Sequence, residues 1–353
     1  MITKHYNIHD LVHIITNLHA YIPNYFLDET IPQLKDLDLV ILGLTSVNKT
    51  ENNHKIFFTG SIVGEGITFS DDYLHAKINT PFIRMLGLNS QIDMLIKRYY
   101  NGYMITLSPL AIMGLPLVSK RVEGYLEKLF RILIILRLIK KGYLLLHAAG
   151  VAQNDNYGII LCAFSNTGKT PLVQYFYSKL KFKFMGDDHI ILSPDGTLLA
   201  YPEPSRMFTK LSSLIFEKIP ASSFILGEKS EIFVKYLNID EASILPQAKL
   251  RKIFILKRGR KDIKKLNNDE ILVHKLKVLN FEEILSSLSS PFTCLINYGS
   301  FVNLFPTLDE LFRKSAQILN EAITRSGIDA YEITFKTFDE AYTLISKVLF
   351  NNS

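Results

Sequence analysis

The chain has no tryptophan and only two cysteines in 353 residues. Cys162 and Cys294 are too few for a disulfide framework or a thiolate metal site, and they fit a reducing, cytoplasmic home. Neither an HExxH helix motif nor a Cys–His zinc spacing occurs, and there is no G-x-S-x-G nucleophile elbow. Long apolar runs are also missing. The most apolar stretch, 129-LFRILIILRLI-139, is broken by Arg131 and Arg137, whereas a membrane span needs about 20 apolar residues. A buried helix is expected there instead. The first 20 residues hold four histidines and no apolar run of signal-peptide length, so no secretion signal is expected. Internal repeats and low-complexity tracts are absent.

What is present is an ordinary globular composition, 48% hydrophobic and 21% charged, which excludes a mainly disordered chain. The net charge of +6 is not spread evenly. Segment 249–277 holds eleven Lys or Arg against Asp262, Asp269 and Glu270, and 11 − 3 = +8 exceeds the charge of the whole chain. Such a patch can meet nucleic acid, anionic lipid, nucleotide or an acidic protein, and charge alone does not choose among them.

Read for organisation, residues 1–35 start in a helical pattern and pass into a loop with Pro23 and Pro32. His5, His9 and His13 recur at i, i+4 and i+8, a spacing that would line one helix face and offer a metal site against the plainer reading of a polar face. Strand-like segments follow at 38–47, 55–63 and 66–70, then a weakly helical 83–97 and an extended 103–109. Residues 119–141 read as a helix closed by Lys140, Lys141 and Gly142. Strands are expected at 143–151, 158–163, 182–186, 189–193, 253–257, 271–274 and 331–335. Helices are expected at 169–180, 281–287, 308–329 and 339–349, with a basic loop after 257. This predicts an N-terminal α+β region, 1–117, and a larger α/β domain, 118–353.

The chemistry concentrates in the second region. In 158-GIILCAFSNTGKTPLVQYF-176 a buried strand enters a loop of small residues and then a helix. Loop and helix N–H groups in that geometry face an anion. Lys169 can reach phosphates and the Thr170 hydroxyl can ligate Mg²⁺. Ala163 stands where the GxxxxGK[ST] pattern has its first glycine. Asp187 and Asp188 end the next strand in 182-FKFMGDDHIILSPDG-196. Adjacent strand residues point oppositely, so one suits a metal and the other an acceptor hydroxyl, unless the pair is a plain turn. His147, in LLLHAAGVA, is either a satisfied core histidine or a pocket residue; His189 is a supporting residue behind the acidic pair.

These three motifs, in this order, resemble the catalytic domain of the HPr kinase/phosphorylase superfamily, whose fold is shared with the ATP-dependent phosphoenolpyruvate carboxykinases. The likeness covers about two thirds of the chain. It implies a mixed-sheet α/β P-loop domain that binds ATP, or another nucleoside triphosphate, and Mg²⁺ on Ser165, Asn166, Thr167, Gly168, Lys169 and Thr170. It implies phosphoryl transfer to a hydroxyl on a peptide, a protein or a small molecule. Asp187 would be the base, Asp188 a metal ligand, and His147 a neighbour of the transferred group. Arg206 would pair with phosphate and Glu203 would be a further metal-side carboxylate. Arg258 and Arg260 would reach nucleotide phosphates or a substrate carboxylate. Ala163 and Asn166 replace two family glycines, and the usual sequence for docking the phosphocarrier HPr is missing, which argues against HPr as substrate. A homo-oligomer is compatible with this reading. Two other classes stay open: a nucleotide-binding module without turnover, and a nucleic-acid binder using segment 249–277.

Overall fold

The computed structural model describes residues 3–18, 22–30, 32–43, 54–56, 63–70, 73–79, 91–107, 116–164, 167–203, 205–208, 226–231, 234–237, 240–267, 269–287 and 304–350. The fold is mixed α/β, with several sheets and helices. It divides into two compact units, Met1–Lys141 with Glu283–Arg313, and Gly142–Glu282 with Lys314–Ser353.

The first unit is built on one long sheet. Its strands are β1 (Lys4–Ile8), β2 (Val12–Thr16), β3 (Leu27–Asp28), β4 (Leu39–Gly43), β5 (His54–Ile56), β6 (Val63–Ser70), β7 (Tyr73–Asn79), β8 (Gln91–Tyr99) and β9 (Gly102–Leu107). They lie in the order β3-β1-β2-β4-β9-β8-β7-β6-β5. The helix expected at the start of the chain is a hairpin. Leu11 N–H closes a turn on the Ile8 carbonyl at 2.9 Å, and His9 and Asp10 take left-handed φ values of 51° and 57°, the backbone that tight hairpins require. Asn7 Oδ1 braces the turn by accepting the Asp10 N–H at 2.8 Å. Buried Tyr6, Ile8, Val12 and Ile14 alternate with less buried neighbours, so the operative period is two and not 3.6. His5 and His13 are therefore cross-strand neighbours with stacked rings at 5.5 Å, while His9 lies edge-on to Phe26 in the turn region. The helical reading of 83–97 also gives way to strand over its described part, in β8; residues 83–90 lie outside the described residues.

Helix α1 (Pro116–Lys140) matches the expected segment. Leu129, Phe130, Ile132 to Leu136, Leu138 and Ile139 are all buried, as a helix segment apolar on most of its surface requires. Arg137 is buried with them, 3% exposed, and its partner Asp38 is equally buried. The guanidinium donates to Asp38 through Nε at 3.0 Å and through Nη2, and to the Asn101 carbonyl through Nη1 at 2.6 Å. Lys141 Nζ at 2.9 Å and the His13 N–H at 3.0 Å complete the carboxylate's donors.

The second unit is wound around strand β19 (Gln247–Arg258). Its other strands are β10 (Leu144–Leu146), β11 (Ala148–Asn154), β12 (Tyr157–Cys162), β13 (Lys183–Gly186), β14 (Ile190–Leu192), β15 (Thr197–Leu199), β20 (Asp262–Leu266) and β21 (Asp329–Phe335). The order is β10-β14-β15-β19-β12-β11-β13, with β21 also on β19 and β20 on β21. The β12–β19 and β19–β21 pairs are parallel. Helices α2 (Lys169–Ser178) and α5 (Phe338–Phe350) contribute Leu172, Val173, Phe176, Leu344 and Ile345 to one core with Val151, Ile159, Leu161, Phe254, Ile333 and Phe335 of the sheet. A separate three-stranded sheet holds β16 (Ser205–Phe208), β17 (Leu226–Glu231) and β18 (Val234–Leu237).

Two expectations after residue 257 are corrected. The basic loop contains strand β20, and 271–274 is not a strand but part of helix α3 (Asp269–Ser287). The run ILVH looks strand-like in isolation. Leu272, Val273, Leu276, Leu279 and Asn280 are buried at helical spacing, and Asp269 and Glu270 favour a helix start. Helix α4 (Leu308–Ser326) follows the expected pattern.

Candidate active site

Pairing register brings the chemically interesting segments to one end of the second sheet. Cys162 of β12 pairs with Ile255 of β19, and Arg258 with Phe335 of β21. The carboxyl ends of these parallel strands are therefore adjacent. β11 begins there, with Ala148 opposite Cys162, and β13 ends beside it, with Gly186 opposite Gly150. The loop 163–168, His147, Asp187 and Arg258 share this edge, the end of an α/β sheet where ligands bind.

Ser165 and Asn166 lie outside the described residues. On either side of them the loop turns back, Thr167 N–H reaching the Phe164 carbonyl at 3.3 Å. Gly168 caps helix α2 with a left-handed φ of 119°, and among the described residues no side chain caps that N-terminus. The first N–H groups of a helix have no intrahelical partner and carry the positive end of its dipole. Pro171 removes one donor that the first turn would have left unpaired in any case. A Cβ on Gly168 would lie 2.4 Å from Phe338 and 3.5 Å from Arg258 Nη2. Gly168→Ala is expected to combine backbone strain with this clash and to lower the melting temperature without unfolding the sheet, measured by a thermal melt followed by circular dichroism.

Lys169 is buried, 5% exposed. Its Nζ lies 2.7 Å from His147 Nε2 and donates to the Ala163 carbonyl at 3.1 Å. Donation from the ammonium to Nε2 requires that ring nitrogen to carry no proton. Arg258 stands beside Gly168 between two rings, 4.7 Å from Phe335 and 4.6 Å from Phe338, and donates to the Lys336 carbonyl at 3.0 Å. These contacts fix a planar cation at the mouth of the loop.

Asp187 is buried and Asp188 half-buried, so the pair faces two environments, as adjacent residues leaving a strand should. The turn that carries them is tight: a Cβ on Gly186 would lie 2.1 Å from the His189 carbonyl oxygen. His189 is buried and its Nδ1 meets Glu203 Oε2 at 2.7 Å. Its ring stands edge-on to His147, 5.6 Å away at 67°. This His189–Glu203 pair was not legible in sequence, since nothing in the spacing of residues 189 and 203 signals it.

The other candidates are Arg206, Arg260 and the basic segment. Arg206 is on β16, opposite Tyr236 of β18 in the separate three-stranded sheet, and β16 lies against helix α2, which Lys169 opens. Arg260 is an exposed residue of the turn between β19 and β20. Much of the basic segment is neutralised locally. Lys249 pairs with Asp195, Lys252 and Lys265 with Asp329, and Lys257 and Lys275 with Glu332. These three carboxylates lie outside segment 249–277. They lower its +8 to 8 − 3 = +5.

Cys162 ends β12 as a free, fully buried thiol whose pKa burial pushes up to about 12. It is expected to resist iodoacetamide at neutral pH and to react once the protein is unfolded in urea, as read by mass spectrometry of its peptide. Among the described residues no three His, Cys, Asp or Glu side chains group as a metal-binding set, and no helix is long and apolar enough to cross a membrane. Comparison of the chain with models of known protein families and with curated proteins gives no match.

Proposed function

We propose that the second unit binds a nucleoside triphosphate with Mg²⁺ on the loop 163–170 and transfers its terminal phosphoryl group to a hydroxyl acceptor, as the resemblance to the HPr kinase/phosphorylase superfamily implies. One observation carries the reading. Among the described residues, a buried lysine opens a helix whose N-terminus has no side-chain cap, directly after a left-handed glycine, at the carboxyl ends of parallel strands.

The donor set suits the ligand. Lys169, Arg258 and the first N–H groups of α2 are all cationic or donating, which fits a phosphate chain. Magnesium on a triphosphate takes most of its ligands from phosphate and water, so one or two protein oxygens are enough. Thr170, in the first turn of α2, and half-buried Asp188 fit that need. Bound ATP–Mg²⁺ would supply the transferable group and neutralise part of its charge.

The chain's own residues supply the rest. Asp187 accepts the proton of the acceptor hydroxyl. His147 holds Lys169 at the edge where charge develops. Lys169 and Arg258 stabilise that charge, which is most of what phosphoryl transfer asks of a protein. The first choice of acceptor is a serine of a peptide or protein, the second a small hydroxylated metabolite, and a cytoplasmic location supplies the nucleotide.

The test is ADP release and phosphoacceptor formation from ATP–Mg²⁺ with serine peptides and free serine. Asp187→Asn is expected to lower kcat by about 10²–10⁴-fold with little change in ATP affinity. A wild-type protein that binds ATP and forms no phosphorylated product with any acceptor would make this a binding module.

A further inference from the structure

We infer that His189, anchored by Glu203, is a positioning residue for His147 and through it for Lys169, and that Glu203 is not a metal ligand. The inference rests on the phosphoryl-transfer reading above and deepens it.

The geometry runs in one connected chain. Glu203 Oε2 holds His189 Nδ1 at 2.7 Å, which leaves the buried imidazole one ring orientation. That ring stands edge-on to His147, and His147 Nε2 in turn meets Lys169 Nζ at 2.7 Å. Tyr201 also stands edge-on to His189, at 6.2 Å. Both ends of the clamp are tied to the strand that delivers Asp187. Tyr201 N–H bonds the Met185 carbonyl at 2.8 Å, and Glu203 N–H bonds the Tyr201 carbonyl at 2.9 Å. At the other end, the Gly186 turn presses against the His189 carbonyl so closely that no Cβ fits. One carboxylate oxygen thereby accepts an imidazole N–H, the arrangement by which an outer residue fixes the orientation and tautomer of a working histidine. Rotation of the His147 ring would exchange its acceptor nitrogen for a donor and turn it against the lysine.

The experiment compares Glu203→Ala, Glu203→Gln and His189→Phe in the full chain. Glu203→Ala is expected to lower kcat about thirtyfold with the KM for ATP within about threefold. Glu203→Gln keeps an acceptor oxygen and is expected to cost less than about fivefold, with the half-saturating Mg²⁺ concentration unmoved. Ring-nitrogen NMR without nucleotide gives a readout independent of turnover. The wild type and Glu203→Gln should show a hydrogen-bonded His189 Nδ1–H and an acceptor Nε2 on His147. Glu203→Ala and His189→Phe should lose the first signal and alter the second.

Two results overturn the inference. One is Glu203→Gln as inactive as Glu203→Ala, with the half-saturating Mg²⁺ concentration raised tenfold or more, which makes Glu203 a metal ligand. The other is a His147 spectrum unchanged in all three variants. A wild type without phosphoryl transfer overturns the functional reading instead, and the NMR comparison still decides the clamp.

Discussion

Replacing Lys169 with methionine is expected to lower phosphoryl transfer about a thousandfold and to leave the protein folded. The side chain is buried, with its ammonium against His147 and the Ala163 carbonyl. An ammonium held there is costly to desolvate, and these two contacts are with neutral groups. Methionine has a similar length and removes the buried charge, while His147 Nε2 and the Ala163 oxygen each lose a donor, a cost of about 1–3 kcal/mol per buried group. The opposing terms are of similar size, so the melting temperature is expected to move by only a few degrees. Activity has no such offset, because no other described cation lies buried in the first turn of α2. The checks are ADP release at saturating ATP–Mg²⁺ and a thermal melt on the same preparation. Turnover equal to wild type in the folded variant would remove the phosphoryl-transfer reading altogether.

The second large effect is on stability, in the first unit. Arg137→Ala is expected to destabilise that unit by about 3–5 kcal/mol, the cost of stranding a buried partner charge. Asp38 would keep only Lys141 and the His13 N–H as donors, in a site where Arg137 and Asp38 are each 3% exposed. A paired replacement, Arg137→Met with Asp38→Leu, is expected to recover much of the loss, since a buried ion pair is worth little more than apolar groups of similar volume. The pair also sets a pH dependence. Burial works to raise the Asp38 carboxyl, but hydrogen bonds from Arg137, the His13 N–H and Lys141 outweigh it and hold the pKa below the ordinary carboxylate value. The contribution is therefore complete above about pH 4 and is lost as pH falls through the depressed folded value. Hydrogen exchange at β4 amides, compared between wild type and Arg137→Ala at neutral and acid pH, measures both effects. Equal protection in the two proteins at neutral pH would contradict the prediction.

Local signals were most legible where the periodicity was long and unbroken. Helices α1, α4 and α5 each carry several turns of apolar spacing, and β12 with α2 reads as strand, loop and helix from the residues alone. The motifs at His147, Lys169 and Asp187 were legible for the same reason, since each is a short contiguous string. Short runs failed. The stretch 271–274 is four residues of an apolar segment, compatible with either period until α3 buries Leu272, Leu276 and Leu279 together. The first histidines failed in the opposite sense. Their spacing of four suits a helix, but left-handed turns at His9 and Asp10 fold the segment on itself and convert the spacing into cross-strand neighbours.

By itself, the sequence determined the mixed α/β class, the buried helix around Arg137, and the strand–loop–helix with its lysine and the acidic pair, because those depend on residues within one or two turns of each other. Tertiary structure alone decided what each polar group faces. It set Glu203 against His189, placed Arg258 between Phe335 and Phe338 beside Gly168, and paired Arg206 with Tyr236 across β16 and β18. It also spent much of the basic segment's charge on Asp195, Asp329 and Glu332. The physical reason is that buried polar and charged groups must find partners. Strand register supplies those partners from positions far apart in the chain, where no local pattern announces them.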